Sequence, residues 1–250
     1  MRVAGAKREA EYAPLRGVWV LTLAVNLPGP VAASRLATMG ASVVKIEPLG
    51  GDPLARMNPD YYEGLNAGQE VVRLDLKDPK DRASLHGWLE ETDLLLTASR
   101  PAALGRLGLS WPELHVCFPR LCHVAIVGHP PPDEDAPGHD LTYQASFGTF
   151  APPELPRVLV ADLAGAERAV SAALSLLLAR ERGQGAGMSR WPSRRQRDLL
   201  PSHCARGSLR PAASSAAVFL ATGCTARGRA TWRWPRLSCT SGSGCCRSLG

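Results

Sequence analysis

Near its beginning the chain alternates a strand pattern with a helix pattern, and this alternation constrains the possible folds more than any other feature. Apolar residues that favour strands follow Gly17, and the run Asn26–Pro30 interrupts them. Pro30 fits the first turn of a helix that we expect to reach about Met39, and residues 42–47 are predicted to form the next strand. Two strands joined by one helix in this way are parallel and connected by a right-handed crossover.

The same alternation continues along the chain. It predicts strands at 71–75, 93–97 and 121–127, a helix at 78–90 and a shorter helix near 112–116. Repeated units of this kind indicate an α/β protein, here a Rossmann-like open parallel sheet with flanking helices. Ligands of such sheets bind beyond the carboxyl ends of the strands. We therefore look for a site in the loops after Leu23, Glu47, Thr97 and Val127.

The segment 138–165 carries the strongest candidates for chemistry. A predicted helix at 140–147 places His139 near its amino end, where the helix dipole favours the neutral imidazole. Asp162 lies at the amino end of a predicted helix at 163–182. An imidazole and a carboxylate among small or apolar neighbours are suited to acid and base roles. The alternative for Asp162 is a helix cap without chemistry.

Two arginines and two glycine-containing loops indicate where a phosphate-bearing ligand binds. Arg100 and Arg106 lie about one helical turn apart or slightly more, and the segments 50–52 and 65–68 allow close backbone approach. Guanidinium groups beside such loops suit phosphate. The alternative is that both arginines are ordinary surface charges. No GxGxxG or Walker sequence occurs, which argues against a dinucleotide or nucleoside triphosphate site.

The charge of the chain divides near residue 188. Up to Gly187 there are 18 Lys and Arg against 22 Asp and Glu, whereas residues 188–250 contain 11 Arg, no Lys and one acid. We expect residues 1–13 to be flexible, 14–187 to form the Rossmann-like domain and 188–250 to be a largely irregular tail. A basic, cysteine-bearing tail is compatible with an RNA-binding arm or a zinc site. Its five cysteines have no CxxC pairing, however, so we expect neither metal nor nucleic acid.

The sequence predicts neither membrane insertion nor secretion. No run of eighteen apolar residues is present, and residues 1–13 carry charges where a signal peptide needs an apolar stretch. Cys117 and Cys122 suit packing in a reducing compartment. We therefore expect a cytoplasmic protein without a membrane partner.

Several motifs, taken in order, resemble the class III CoA-transferase family and in particular its α-methylacyl-CoA racemase branch. They are Pro14-Leu-Arg-Gly-Val, Leu27-Pro-Gly-Pro-Val-Ala-Ala, Gly40-Ala-Ser-Val-Val-Lys-Ile-Glu-Pro, Leu74-Asp-Leu-Lys, Arg106-Leu-Gly-Leu, Gly138-His-Asp-Leu-Thr-Tyr and Ala161-Asp-Leu-Ala-Gly. The resemblance covers residues 14 to about 187. It implies a Rossmann-like domain that binds acyl-CoA and, with a second small domain, forms an interlocked homodimer. Coenzyme A is then part of the substrate thioester, and no separate cofactor is implied.

The resemblance also implies roles for individual residues. In the racemase branch the residues that match His139 and Asp162 are two bases: one removes the α-proton of a 2-methylacyl thioester, and the other returns a proton to the opposite face of the enolate. In the transferase branch the residue that matches Asp162 is a nucleophile that carries the acyl or CoA group covalently. His139 favours the racemase; a transferase and an inactive fragment are the alternatives. The residues expected to bind the CoA moiety or to line the thioester are Leu65, Asn66, Arg100, Arg106, Gly138, Asp140 and Tyr143.

The resemblance stops near Gly187, where the composition also changes. We interpret residues 188–250 as the product of a shifted reading frame, because a shifted reading from Gly187 onward permits Tyr-Val-Glu-Val-Ala-Leu, which is typical of the family at this position. The hypothesis implies that the small domain is missing.

Overall fold

A computed structural model describes residues 12–149 and 153–192 of the chain. Within these ranges the strands are β1 (Trp19–Thr22), β2 (Ser42–Glu47), β3 (Glu70–Arg73), β4 (Leu94–Thr97), β5 (Cys122–Val127) and β6 (Met188–Pro192). The helices are α1 (Pro28–Thr38), α2 (Pro53–Met57), α3 (Pro59–Asn66), α4 (Pro79–Glu91), α5 (Pro101–Arg106), α6 (Trp111–Cys117), α7 (Asp140–Phe147) and α8 (Val160–Glu181). The alternation read from the sequence is present in the structure.

The strands form one parallel sheet in the order β3-β2-β1-β4-β5-β6. β1 lies inside the sheet; the chain builds one edge through β2 and β3 and then the other through β4, β5 and β6. Every residue of β4 and β5 is buried, as parallel strands are when helices cover both faces of the sheet. These features confirm the predicted α/β class and the open parallel sheet with flanking helices.

Alternate residues of β1, β2 and β4 enter two separate apolar layers. Leu94 and Leu96 pack with α1 and α8 on one face of the sheet, whereas Leu95 packs with α4 and α6 on the other. Burial of these side chains, at roughly 25 cal/mol per Å² of apolar surface, drives the helices onto the sheet. None of the helices within the described ranges is long and apolar enough to cross a membrane.

Proline lies in the first turn of each helix from α1 to α6. Where Asp or Asn precedes the proline, its side chain caps the helix: Asp52, Asn58 and Asp78 each accept a hydrogen bond from a backbone N–H two or three residues later. This signal predicts α4 correctly. The sequence pattern does not predict α2, α3 and α5, because they are short and lie beside glycines that indicate loops.

Strand β6 lies in the segment for which the sequence predicts irregular structure. It pairs in parallel with β5, with Val124 opposite Ser189 and Ala125 opposite Arg190. Backbone groups form this ladder, so a strand at the sheet edge does not need the apolar pattern on which the prediction relied. The 5 residues of β6 therefore extend the sheet beyond residue 187, and the predicted domain boundaries stay predictions. The rest of the predicted tail, 193–250, and residues 1–11 lie outside the described residues.

A buried cation joins β2 to the loop that follows it. The Lys45 side chain is 0% exposed, and its Nζ lies 3.0 Å from Glu47 Oε1 and 2.7 Å from Asp52 Oδ2. The Tyr62 hydroxyl donates to Glu47 Oε1 at 2.8 Å. The pKa of Tyr62 is raised to about 12, mainly by burial and to a smaller extent by this hydrogen bond. Charges removed from water persist only when they are paired and hydrogen-bonded, so this cluster fixes the connection between β2 and α2.

Replacing Lys45 with methionine is expected to lower the free energy of unfolding by about 3–5 kcal/mol, because Glu47 and Asp52 are left buried without their cation. Lys77→Met, at an exposed position, is the control and is expected to change stability by less than about 0.5 kcal/mol. Urea unfolding of the two variants measures the difference. Equal stabilities would show that the buried cluster contributes nothing to the fold.

Candidate active site

A cavity of about 770 Å³ opens beyond the carboxyl ends of the strands. The loops after β1, β4 and β5 line it together with α2, α3, the start of α7 with the two residues before it, and the start of α8. This is the edge at which a parallel sheet of this kind binds ligands. The strand ends, the loops that follow them and helices α2 and α3 contribute lining residues that include Leu23, Asn26, Leu54, Met57, Tyr61, Ser99, Arg100 and Val127.

The structure brings His139 and Asp162 to this one cavity. His139 is the residue before α7, and its backbone is held by Thr142, whose hydroxyl accepts from His139 N at 2.9 Å and donates to His139 O at 2.7 Å. Asp162 is in the first turn of α8 and is partly buried. Both helices therefore present their amino ends to the same space. An imidazole and a carboxylate in one cavity can share a bound substrate.

Asp140, which the sequence analysis assigns to the thioester site, lies outside the cavity lining. Its side chain is 3% exposed, and its Oδ1 accepts from Ala161 N at 2.7 Å and from Asp162 N at 3.0 Å. Its Oδ2 accepts from Gln144 Nε2 at 2.5 Å. Asp140 thus ties α7 to the amino end of α8 and satisfies two N–H groups that have no partner within the helix. Its role in the fold is to fix the position of Asp162.

The Asp162 carboxyl ionises less readily than an exposed one. Burial raises its pKa to about 6; the neighbouring carboxylate of Asp140 also raises it, and His139 lowers it. The pKa of the Tyr143 hydroxyl is raised as well, by burial and then by the charge of Asp162. A carboxyl with a pKa of about 6 is ionised at neutral pH yet more basic than an ordinary one.

Tyr143 explains two glycines of the site. Its hydroxyl and ring pass so close to Gly128 and Gly138 that a Cβ on either glycine would collide with it. Tyr143 is 4% exposed, lines the cavity, and packs edge-on against the His129 ring with a centroid separation of 5.5 Å. Gly138 and Tyr143 both line the cavity, and the ring of Tyr143 fits there because residue 138 has no Cβ.

Some of the predicted CoA-binding residues line the cavity and others lie outside its lining. Arg100 lines the cavity, whereas Arg106 lies on the exposed surface at the end of α5, outside the cavity lining. Leu65 and Asn66 belong to the last turn of α3 rather than to a loop. The Leu65 side chain is buried in the core, and Asn66 Nδ2 donates to Tyr62 O at 2.7 Å. Neither of these two residues lines the cavity, because the helix turns both side chains toward the protein.

Sequence reasoning identified the loops of the site but missed residues within them. Asn26, Leu27 and Pro28 after β1 line the cavity, as do Leu54 and Asn58 around α2. The signal for the first group is the interruption of the apolar run by asparagine and proline, which the sequence analysis uses only as a break. Within the described ranges, no group of three or more His, Cys, Asp or Glu side chains is placed to hold a metal ion.

Comparison with known proteins relates this site to a family. Residues 15–189 match CoA-transferase family III. The cinnamoyl-CoA:phenyllactate CoA-transferase of Clostridium sporogenes is 34% identical over 191 residues, which are 68% of this chain and 46% of the relative. The succinyl-CoA–D-citramalate CoA-transferase of Chloroflexus aurantiacus is 32% identical over 69% of this chain and 47% of the relative. The chain thus spans about half the length of the curated relatives that it matches.

Solved structures agree with the sequence matches. A crystal structure of Rv3272 from Mycobacterium tuberculosis has a TM-score of 0.73 at 26% identity, covering 79% of this chain and 59% of that protein. A CaiB/BaiF family protein from Brucella suis has a TM-score of 0.67 at 25% identity, covering 85% of this chain and 58% of that one. The Rv3272 sequence carries the description of a probable fatty acyl-CoA transferase.

Replacing Asp162 with asparagine is expected to stabilise the fold above pH 6. The pKa of Asp162 is about 6 in the folded protein and near 3.8 when unfolded, so its ionisation opposes folding increasingly as the pH rises through this range. After allowance for its partial exposure, the gain at pH 8 is about 1–2 kcal/mol. Thermal unfolding at pH 4 and pH 8 measures it. Glu167→Gln, at an exposed carboxylate on the same helix, should show no such gain; an equal gain there would refute the explanation.

Gly138→Ala is expected to destabilise the protein and distort the cavity, because the added methyl group collides with Tyr143. The cost is about 1–3 kcal/mol, the usual range for overpacking. Gly87→Ala is the matched control: a Cβ there meets nothing within 4 Å, and the residue is inside α4, so stability should rise by about 0.5–1 kcal/mol. Urea unfolding compares the two variants. A Gly138→Ala variant as stable as Gly87→Ala would show that Tyr143 has room to move.

Proposed function

The chain belongs to CoA-transferase family III, and from this premise we propose that it takes part in the transfer of coenzyme A from an acyl-CoA thioester to a carboxylic acid, with Asp162 as the nucleophile. The observation that carries the proposal is the Asp162 carboxylate in the 770 Å³ cavity, at the amino end of α8 and with a pKa raised to about 6. The relatives described above are CoA-transferases, which supports this chemistry over others.

The proposed reaction divides one exchange into steps at a single carboxyl group. An Asp162 oxygen attacks the thioester carbonyl carbon, the C–S bond breaks, and a mixed anhydride and the CoA thiolate result. The thiolate then attacks the Asp162 carbonyl carbon and releases the donor acid as its carboxylate, which leaves an aspartyl-CoA thioester. The acceptor carboxylate repeats these two steps in reverse order. Every step transfers an acyl group or the thiolate, and Asp162 returns to its starting state.

The surroundings of Asp162 suit this role. Partial burial removes water from the carboxylate, which makes it a stronger nucleophile than an exposed one while leaving it ionised at neutral pH. Arg100, in the lining of the same cavity, supplies a guanidinium for a phosphate of the coenzyme. The chain spans about half the length of its relatives. The identity of the acyl group, the identity of the acceptor acid and the formation of a homodimer are therefore parts of the proposal.

A second candidate function is proton transfer at the α-carbon of a 2-methylacyl-CoA. The observation that favours it is His139 in the lining of the same cavity as Asp162. An imidazole and a carboxyl of raised pKa can act in turn as base and acid on the two faces of one carbon. In this reaction Asp162 exchanges protons and forms no covalent bond to the substrate. The α-methylacyl-CoA racemase resemblance points in the same direction.

Incubation with an acyl-CoA is expected to place an acyl or CoA adduct on Asp162 in the tryptic peptide 158–168, which also contains Glu167. Fragmentation of that peptide by mass spectrometry assigns the carboxylate. Asp162→Asn should abolish the adduct and lower thioester consumption about 1,000-fold or more, whereas the exposed Glu167→Gln should retain both. Absence of an adduct on the wild-type chain would reject the transferase chemistry.

The same samples distinguish the second candidate. Deuterium from D₂O should enter the α-carbon of a 2-methylacyl-CoA if His139 and Asp162 exchange protons, and His139→Gln should stop this incorporation. For a transferase, His139→Gln leaves the Asp162 adduct in place. A chain that shows neither an adduct nor deuterium incorporation is the inactive fragment.

A further inference from the structure

One buried carboxylate holds two separate parts of the cavity lining. Asn26, in the loop after β1, and Leu54, in α2, both line the cavity. The Oδ1 atom of Asp52 accepts from Asn26 N at 3.0 Å and from Leu54 N at 2.9 Å. Asp52 is 1% exposed and is itself outside the lining. It therefore acts on the cavity only through these two backbone groups.

The other side of Asp52 is fixed by buried charge. Its Oδ2 accepts from Lys45 Nζ at 2.7 Å, and its own N–H donates to Glu47 Oε2 at 3.3 Å. Lys45 is also paired with Glu47 at 3.0 Å. With both carboxylate oxygens engaged, the carboxylate has a single orientation, and Asn26 and Leu54 are held relative to β2.

The backbone of Asn26 needs such a support. Its φ angle is +69°, in the left-handed region that is unfavourable for residues other than glycine. A residue remains in this conformation when its surroundings fix it. Asp52 supplies that restraint, because the Asn26 N–H is directed at its carboxylate.

We propose that Asp52 is a positioning residue for acyl-CoA binding: it sets the wall formed by the Asn26 loop and α2 and so determines how tightly the thioester is held. This inference rests on the proposed function, since it assigns the cavity to acyl-CoA. Asp52 contributes to binding and not to the chemical step, because Asp162 is positioned separately by Asp140.

Four single substitutions separate positioning from stability. Asp52→Ala removes the acceptor of both N–H groups, whereas Lys45→Met breaks the same buried ion pair but leaves that acceptor in place. Asp78→Ala is a matched control, since Asp78 also precedes a proline and caps a helix, α4, but lies outside the cavity lining. Asp52→Asn keeps one oxygen for Asn26 and Leu54 while Lys45 retains Glu47.

The measurements are the Kd of hexanoyl-CoA by titration calorimetry, the rate of adduct formation at saturating thioester, and unfolding by urea. Asp52→Ala should raise Kd about tenfold or more, with a saturated adduct rate within about threefold of wild type. Asp78→Ala should lose stability with Kd within about threefold of wild type, whereas Lys45→Met, which loosens the Asp52 carboxylate but leaves its acceptor in place, should raise Kd by clearly less than Asp52→Ala does. The Kd of Asp52→Asn should lie between those of wild type and Asp52→Ala. If Asp52→Ala does not fold, the Kd of Asp52→Asn provides the test.

The outcomes separate this inference from the proposed function. If Kd rises equally in Asp52→Ala and Lys45→Met, or stays unchanged in both Asp52 variants, positioning by Asp52 is wrong. If wild type binds hexanoyl-CoA without forming an adduct, the transferase chemistry is wrong and the Kd comparison still tests Asp52. If wild type does not bind the thioester, both proposals are wrong.

Discussion

The site depends on one hydrogen-bonding arrangement, in which the buried carboxylate of Asp140 accepts from the backbone N–H groups of Ala161 and Asp162. A helix begins with N–H groups that have no acceptor inside the helix, and leaving them buried without one is unfavourable. Asp140 supplies the acceptor from α7 and so fixes where α8 starts. Since Asp162 is in the first turn of α8 and His139 directly precedes α7, the same contact brings both side chains to one cavity.

The cavity combines this contact with a rigid sheet. β4 and β5 are buried at every residue, so the loops that follow them start from fixed points. Asp52 has a similar role for another part of the lining. It is a buried aspartate outside the cavity that accepts hydrogen bonds from two backbone N–H groups of segments that line it. The two carboxylates hold the backbone and leave the lining side chains to contact a ligand.

The fold can be predicted from the sequence because apolar periodicity and the positions of prolines indicate where helices and strands lie. It placed β2 at 42–47 without error and α7 at 140–147, since short-range signals mark both ends of each. It did not assign Asp140 its structural role, because a cap reaching 21 residues along the chain leaves no local pattern. Leu65 and Asn66 are predicted in a loop because of the glycine at 68, whereas the structure has them in the last turn of α3, which begins at the Asn58 cap.

Asp140 and Asp162 are neighbouring acids that the structure makes chemically different. The Asp140 carboxylate accepts hydrogen bonds from two backbone N–H groups and from the Gln144 amide, and these contacts hold it in place. No hydrogen bond to the Asp162 carboxylate is found among the described residues, and burial together with Asp140 raises its pKa. A carboxylate that accepts no hydrogen bond from the described residues and whose anion is destabilised gains most by bonding to an electrophile or a proton, and this difference supports the proposal that Asp162 carries the chemical step while Asp140 holds the backbone.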